Sequence, residues 1–337
     1  MVDLSQNTNP YFPKWKHFNY LKHHISIISK YPSSTSENVE KIIAEALNLN
    51  VHCVKLVSGT MEGMELILKV LHKKSIGFFS PTFWGIMYVA EKENYQVLER
   101  KIDDFNEYLE KDLNYLAKKC DVVYLCNPNN PTLTYIEKQQ LLKIISDYPS
   151  CHFIIDETVL EFASNFEDIS LYHEIVNLSN CSILWSLSKI LGVPGLRIGL
   201  VITNPSFKRD LSKFKLLYSI TSIGELFLTR FSSDLSKLQL YRKKIAKNFD
   251  FLISHISKEL YNEIYYKNSS FVLINLRERI NSVDLTNYLR KNNILISNLD
   301  SYPDLAKNWI RISAGTKSDM KKLLKFLIKY LKKENIL

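Results

Sequence analysis

Residues 185–200 read WSLSKILGVPGLRIGL, with Lys189 preceded by the hydroxyls of Ser186 and Ser188 and followed, eight positions on, by Arg197. A lysine among Trp185, Leu187 and Ile190 loses part of its hydration. Desolvation disfavours the ammonium form, so the amine becomes available as a nucleophile. Two hydroxyls and one guanidinium suit a phosphate, because they combine neutral donors with a cation that binds in a bidentate way.

Two more charged residues stand in apolar surroundings. Asp156 closes the run HFII, and a carboxylate after such a run is costly unless it has a partner. Arg311 lies between Ile310 and Ile312 in a strand-like segment, which implies an anion for its guanidinium. An imine-forming lysine beside a phosphate socket meets the needs of pyridoxal 5'-phosphate.

The elements that must position these residues follow a regular rhythm. Short β-branched and aromatic runs recur at 54–59, 75–81, 95–102, 121–128, 152–158, 181–189 and 197–203. Helical stripes separate most of them, as at 61–71, where Met64, Ile67, Leu68 and Leu71 share a face. The alternation predicts an α/β fold on a mostly parallel sheet of about seven strands, with Lys189 ending one strand. A helix over 37–47 is expected behind a capping box made by Ser34 and Glu37. Beyond Pro205 the pattern changes to lysine-rich helical segments, FKLLYSI and LQLYRKKIAKNFDFLISHI. Strands at 271–277, 294–299 and 309–315 and a closing helix from Ser318 follow. This reads as an N-terminal arm (1–34), a large domain (35–235) and a smaller α+β C-terminal domain (236–337).

Bulk properties exclude several classes. The chain has 337 residues, 46% of them hydrophobic, which is too apolar for a disordered protein. Its formal charge of +9 is spread along the sequence, with no helix-turn-helix and no basic patch interleaved with aromatics, so a nucleic-acid partner is not expected. No apolar run spans a membrane, the five cysteines lack zinc or disulfide spacing, and a cytoplasmic protein without metal is expected. Gly192, Gly195 and Gly199 come too late, at the wrong spacing, for a dinucleotide-binding fingerprint.

SLSKILGVPGLRIG resembles the lysine signature of the fold-type I pyridoxal-phosphate enzymes, in the class I/II aminotransferase superfamily. Four further segments agree in order and spacing, so the resemblance covers nearly the whole chain. By that resemblance SGTMEG makes the phosphate-cradling turn, with Ser58, Gly59 and Thr60 at a helix N-terminus. CNPNNPT supplies Asn130 to the cofactor's phenolic oxygen, IIDETVLEF supplies Asp156 to the ring nitrogen, and WIRISAGT supplies Arg311 to the substrate carboxylate. SPTFWGIMY implies a ring stacked on the cofactor, Phe83 ahead of Trp84. KYPSS implies that Tyr31 reaches the cofactor phosphate of a neighbouring subunit, which requires a homodimer with a shared active site. NTNP implies an arm over the substrate, with Asn9 as a contact.

Among members of the superfamily, the chain is most similar to histidinol-phosphate aminotransferase and threonine-phosphate decarboxylase. Transamination of a small, phosphorylated amino substrate is the leading expectation, and decarboxylation of a phosphorylated amino acid is the alternative. Three departures bear on it. Ser297 stands where a second arginine is usual, Val159 replaces a tyrosine and Leu133 replaces a glycine. Val159 lacks a phenolic donor, which predicts a raised pKa for the bond between Lys189 and the cofactor.

Overall fold

The computed structural model describes residues 1–102, 110–260, 264–267, 269–276, 280–302, 305 and 307–334. The strands of the larger sheet are β2 (Val54–Val57), β3 (Ser75–Ser80), β4 (Gln96–Lys101), β5 (Val122–Cys126), β6 (His152–Asp156), β7 (Cys181–Trp185) and β8 (Gly199–Thr203). They lie in the order β2-β8-β7-β6-β5-β3-β4. β3 to β7 pair in parallel, and β8 runs against both of its neighbours. The four strands β5 to β8 are buried at every position, as runs such as VVYLC and GLVIT require when helices cover both faces. At the edge, β4 carries Glu99, Arg100 and Lys101, charges that discourage further strand pairing.

The smaller sheet has the order β1-β11-β12-β10-β9, with β1 (Val2–Leu4), β9 (Ile264–Tyr265), β10 (Phe271–Asn275), β11 (Ile294–Asn298) and β12 (Trp309–Ser313). β1 pairs in parallel with β11, so the first residues of the chain complete the sheet built by the last ones. The helix Lys317–Lys333 covers this sheet. It buries Met320, Leu323, Leu324, Leu327 and Leu331 on one side and keeps its lysines outside.

Some local expectations change. β7 ends at Trp185, and Lys189 sits in the helical turn Leu187–Ile190 just beyond it. The helix Glu37–Ala46 is preceded by Ser36 at φ 60°, not capped by Ser34, and the Ser36 hydroxyl instead donates to Glu225 at 2.6 Å. FKLLYSI is not a helix. The helix Pro205–Phe214 stops at its first residue, and Tyr218 lies at φ 60°, a left-handed conformation that ends any helical path.

Candidate active site

The end of β2 turns directly into the helix Thr60–Leu71 through Gly59, whose φ of 81° suits a residue without Cβ. A Cβ there would meet Arg197 Nη2 at 2.5 Å, so the turn and the guanidinium close on each other without contact from a side chain. The free N–H groups of the helix start and the arginine thus face one small space, the arrangement that binds a phosphate. Ser58 turns its N–H to the Glu62 carboxylate. Ser186 is buried, and its N–H goes to Glu161 Oε1. The Ser188 hydroxyl is committed elsewhere: it donates to Ile198 O at 2.7 Å and accepts the Ile198 N–H at 2.8 Å, fastening the lysine turn to the start of β8.

Lys189 is half-buried, and burial pushes its amine below the ordinary lysine value, against the attraction of Asp156, Glu161 and Cys126. Asp156, at the end of β6, is buried. Its Oδ2 accepts the Tyr124 hydroxyl at 2.9 Å and its Oδ1 the Thr158 N–H at 2.9 Å. Those two bonds satisfy a carboxylate in the interior and hold it in one orientation. Tyr124 was not singled out from the sequence, although a tyrosine in the buried run VVYLC needs a partner for its hydroxyl.

On the other side, Arg311 Nη1 donates to Asn130 Oδ1 at 2.9 Å. Its Nη2 donates to Ser5 O at 3.2 Å and Ser297 Oγ at 3.3 Å, and the guanidinium lies 5.2 Å above the Phe271 ring. Ser297 is directly opposite Arg311 in the register of β11 and β12, so the missing second arginine is missing from beside the first. Arg311 Nε is buried with no hydrogen-bond partner among the described residues, and burial lowers the guanidinium's pKa. Val159, Leu133 and Phe271 form one apolar cluster behind this group. The arm reaches the site as well. Asn9 donates its main-chain N–H to Lys189 O at 3.0 Å and its amide to Ile190 O at 2.9 Å. Its side chain therefore holds the lysine turn. Close approach is possible because Gly192, at φ 59°, leaves room for Phe12 O, which a Cβ would meet at 1.8 Å.

Phe83 is half-buried against Met61 and Gly85, whereas Trp84 points outward. Tyr31 is 89% exposed and lies against Tyr218. The residues present fit pyridoxal 5'-phosphate. Gly59 and Arg197 leave a cradle, Asp156 is a fixed buried carboxylate, and Lys189 is a desolvated amine. No group of metal-ligating side chains occurs among the described residues.

Comparison with known proteins agrees with this arrangement. The family model "Aminotransferase class I and II" matches residues 1–327. Histidinol-phosphate aminotransferase of Methanosphaera stadtmanae is 25% identical over 97% of this chain and 89% of its own length. The structure of histidinol-phosphate aminotransferase from Clostridium acetobutylicum superimposes with a TM-score of 0.89, at 23% identity and complete coverage of both chains. That of L-threonine-O-3-phosphate decarboxylase from Porphyromonas gingivalis gives 0.85 at 18% identity, covering 98% of this chain and 100% of the other. The chain belongs to the aminotransferase class I and II family, as a pyridoxal-phosphate-dependent enzyme with the type I fold.

Proposed function

We propose that this enzyme moves an amino group to or from a small phosphorylated amino compound of the histidinol-phosphate kind, with glutamate as the partner. The observation that carries the reading is the desolvated Lys189 amine, within electrostatic reach of the buried Asp156 and of Arg311, which bonds Asn130. Similarity to curated histidinol-phosphate aminotransferases along nearly the whole chain supports the substrate class.

When bound, the cofactor supplies an electron-withdrawing ring that makes the substrate Cα–H acidic. Asp156, with Oδ1 and Oδ2 fixed by Thr158 and Tyr124, keeps a proton on the ring nitrogen. Gly59, Thr60, Ser58, Ser186 and Arg197 would hold the phosphate, Phe83 would lie against the ring and Asn130 would hold the phenolic oxygen. Lys189 would hold the cofactor by its side-chain nitrogen and, as a free amine, would take up and return the proton at the substrate Cα. Arg311 would grip an acidic group of the substrate and so orient its Cα.

Tyr31 acts across a subunit boundary, so the working unit is a homodimer. The support is a surface cavity of about 550 Å³ that includes Ile28, Tyr31, Pro32, Tyr218 and Ile223, next to the exposed Leu216 and Leu217. Residues 35–235 and 236–337 act as the two domains, with 1–34 as the arm between them. No described helix is long and apolar enough to cross a membrane, and we assign the enzyme to the cytoplasm.

The test incubates holoenzyme with histidinol phosphate and with other phosphorylated amino alcohols and amino acids. Accumulation of the pyridoxamine form with histidinol phosphate, abolished by Lys189→Ala, is the expected outcome. Release of carbon dioxide with the starting spectrum restored would instead make the enzyme a decarboxylase.

A further inference from the structure

Glu161 is a carboxylate that the chemistry above does not use. It lies in the short helix Leu160–Phe162, five residues beyond Asp156, and is completely buried. Oε1 accepts the Ser186 N–H, while Oε2 is buried without a hydrogen-bond partner among the described residues. Arg242, from the helix Leu238–Leu260, donates Nε to the main-chain oxygen of Glu161 at 2.8 Å and stacks its guanidinium 4.0 Å from the Phe166 ring centre. The position of Glu161 is therefore fixed from both sides. A buried carboxyl oxygen without a partner is expensive, and a packing role alone would be served better by an apolar side chain.

The charged and titratable groups facing Glu161 are Lys189, Arg242 and Asp156. Those facing the Lys189 amine are Asp156, Glu161, Cys126 and Arg311. We infer that Glu161 is a positioning residue for Lys189: its bond to Ser186 fixes the start of the turn Leu187–Ile190, and its second oxygen supplies negative charge that favours a proton on the Lys189 nitrogen. The inference rests on the reading that Lys189 carries the cofactor.

Burial pushes the Glu161 carboxyl well above the usual carboxylate range, while Lys189, the Ser186 N–H and Arg242 pull it back. Its ionisation is thus tied to the cation beside it. A cation at the Lys189 nitrogen favours the carboxylate form, so the two titrate as one system.

Glu161→Gln keeps an oxygen for the Ser186 N–H and removes the charge. Holoenzyme loaded with pyridoxal 5'-phosphate is titrated from acid to alkaline pH by its visible absorbance, and the attachment site is fixed with borohydride. The expected result is label at Lys189 in both proteins and a midpoint about one pH unit lower in Glu161→Gln, because loss of a nearby anion disfavours the protonated form. Glu161→Asp, which keeps the charge, should retain the wild-type midpoint with weaker cofactor binding, and it serves as the second probe if the glutamine variant does not fold. Superimposable curves for wild type and Glu161→Gln, or a midpoint for Glu161→Asp lowered by a full unit, would overturn the inference. Absence of label at Lys189 in the wild type would overturn the reading on which it rests.

Discussion

Arg311 shares its guanidinium among Asn130, Ser5 and Ser297, and each of those bonds uses the fork geometry that lysine lacks. Arg311→Lys should therefore raise KM for a carboxylate- or phosphate-bearing substrate more than it lowers kcat. Charge-assisted bonds contribute about 1.5–3 kcal/mol, so the rise should be roughly tenfold to a hundredfold, read from steady-state kinetics. Val159 makes a different prediction. It is buried against Leu133 and Phe271 and carries no hydroxyl of its own. Leu133 holds a left-handed φ of 62°, a conformation that costs a leucine roughly 1–2 kcal/mol. Burying the same side chain contributes roughly 1.5–3 kcal/mol, so the packing can sustain the strain. The cluster leaves the Lys189–cofactor bond without a phenolic donor, and its pKa should lie high. An absorbance titration should find the protonated form persisting at neutral pH; its absence well below neutrality would refute the expectation.

At the scale of elements, the phosphate cradle depends on how β2 joins the helix Thr60–Leu71. Gly59→Ala adds a methyl group at positive φ, 2.5 Å from Arg197 Nη2. The arginine must move away, and cofactor affinity should fall at least tenfold in a fluorescence titration while the melting temperature of the apoprotein changes by only a few degrees. The sheet itself was legible because β5 to β8 are continuous apolar runs bounded by turn residues, and burial on both faces leaves no other reading. The caps and connections were not. Ser36 and Tyr218 adopt left-handed backbone because Glu225 and Ser34 O, far away in sequence, offer them partners. Of the candidate site, Lys189, Asp156 and Arg311 could be picked out by charge in apolar runs, and Asn130 only through the family resemblance. Glu161, Tyr124 and Ser5 could not, since their contacts arise only when β5, β6, β7 and the arm come together.

For the whole molecule, attachment of the arm governs acid sensitivity. His17 is buried between Phe12 and Phe231, accepts the Lys14 N–H at Nδ1 and meets Asp234 through Nε2 at 2.9 Å. Burial raises the Asp234 carboxyl, but bonds from His17 and Lys237 and the charge of Lys16 outweigh it and bring it from 3.8 to about 2. A carboxyl lowered by folding stabilises the native state above its unfolded value, and this stabilisation is lost as the pH falls from about 4 through about 2. Wild type should therefore lose stability over that window, and Asp234→Asn should be less stable at neutral pH with a shallower acid dependence, as thermal melts would show.

The pairing of Val2 with Ile294 joins positions 292 apart in the chain. At translation speeds of about 5–20 residues per second, the ribosome needs roughly 15–60 s to make the partner of the first strand. Through that interval β1 has no β11 to pair with, and Ser5 O, which later receives Arg311, waits for its donor. The larger sheet can assemble before β11 and β12 are made, but the site is complete only once Arg311 has been synthesised.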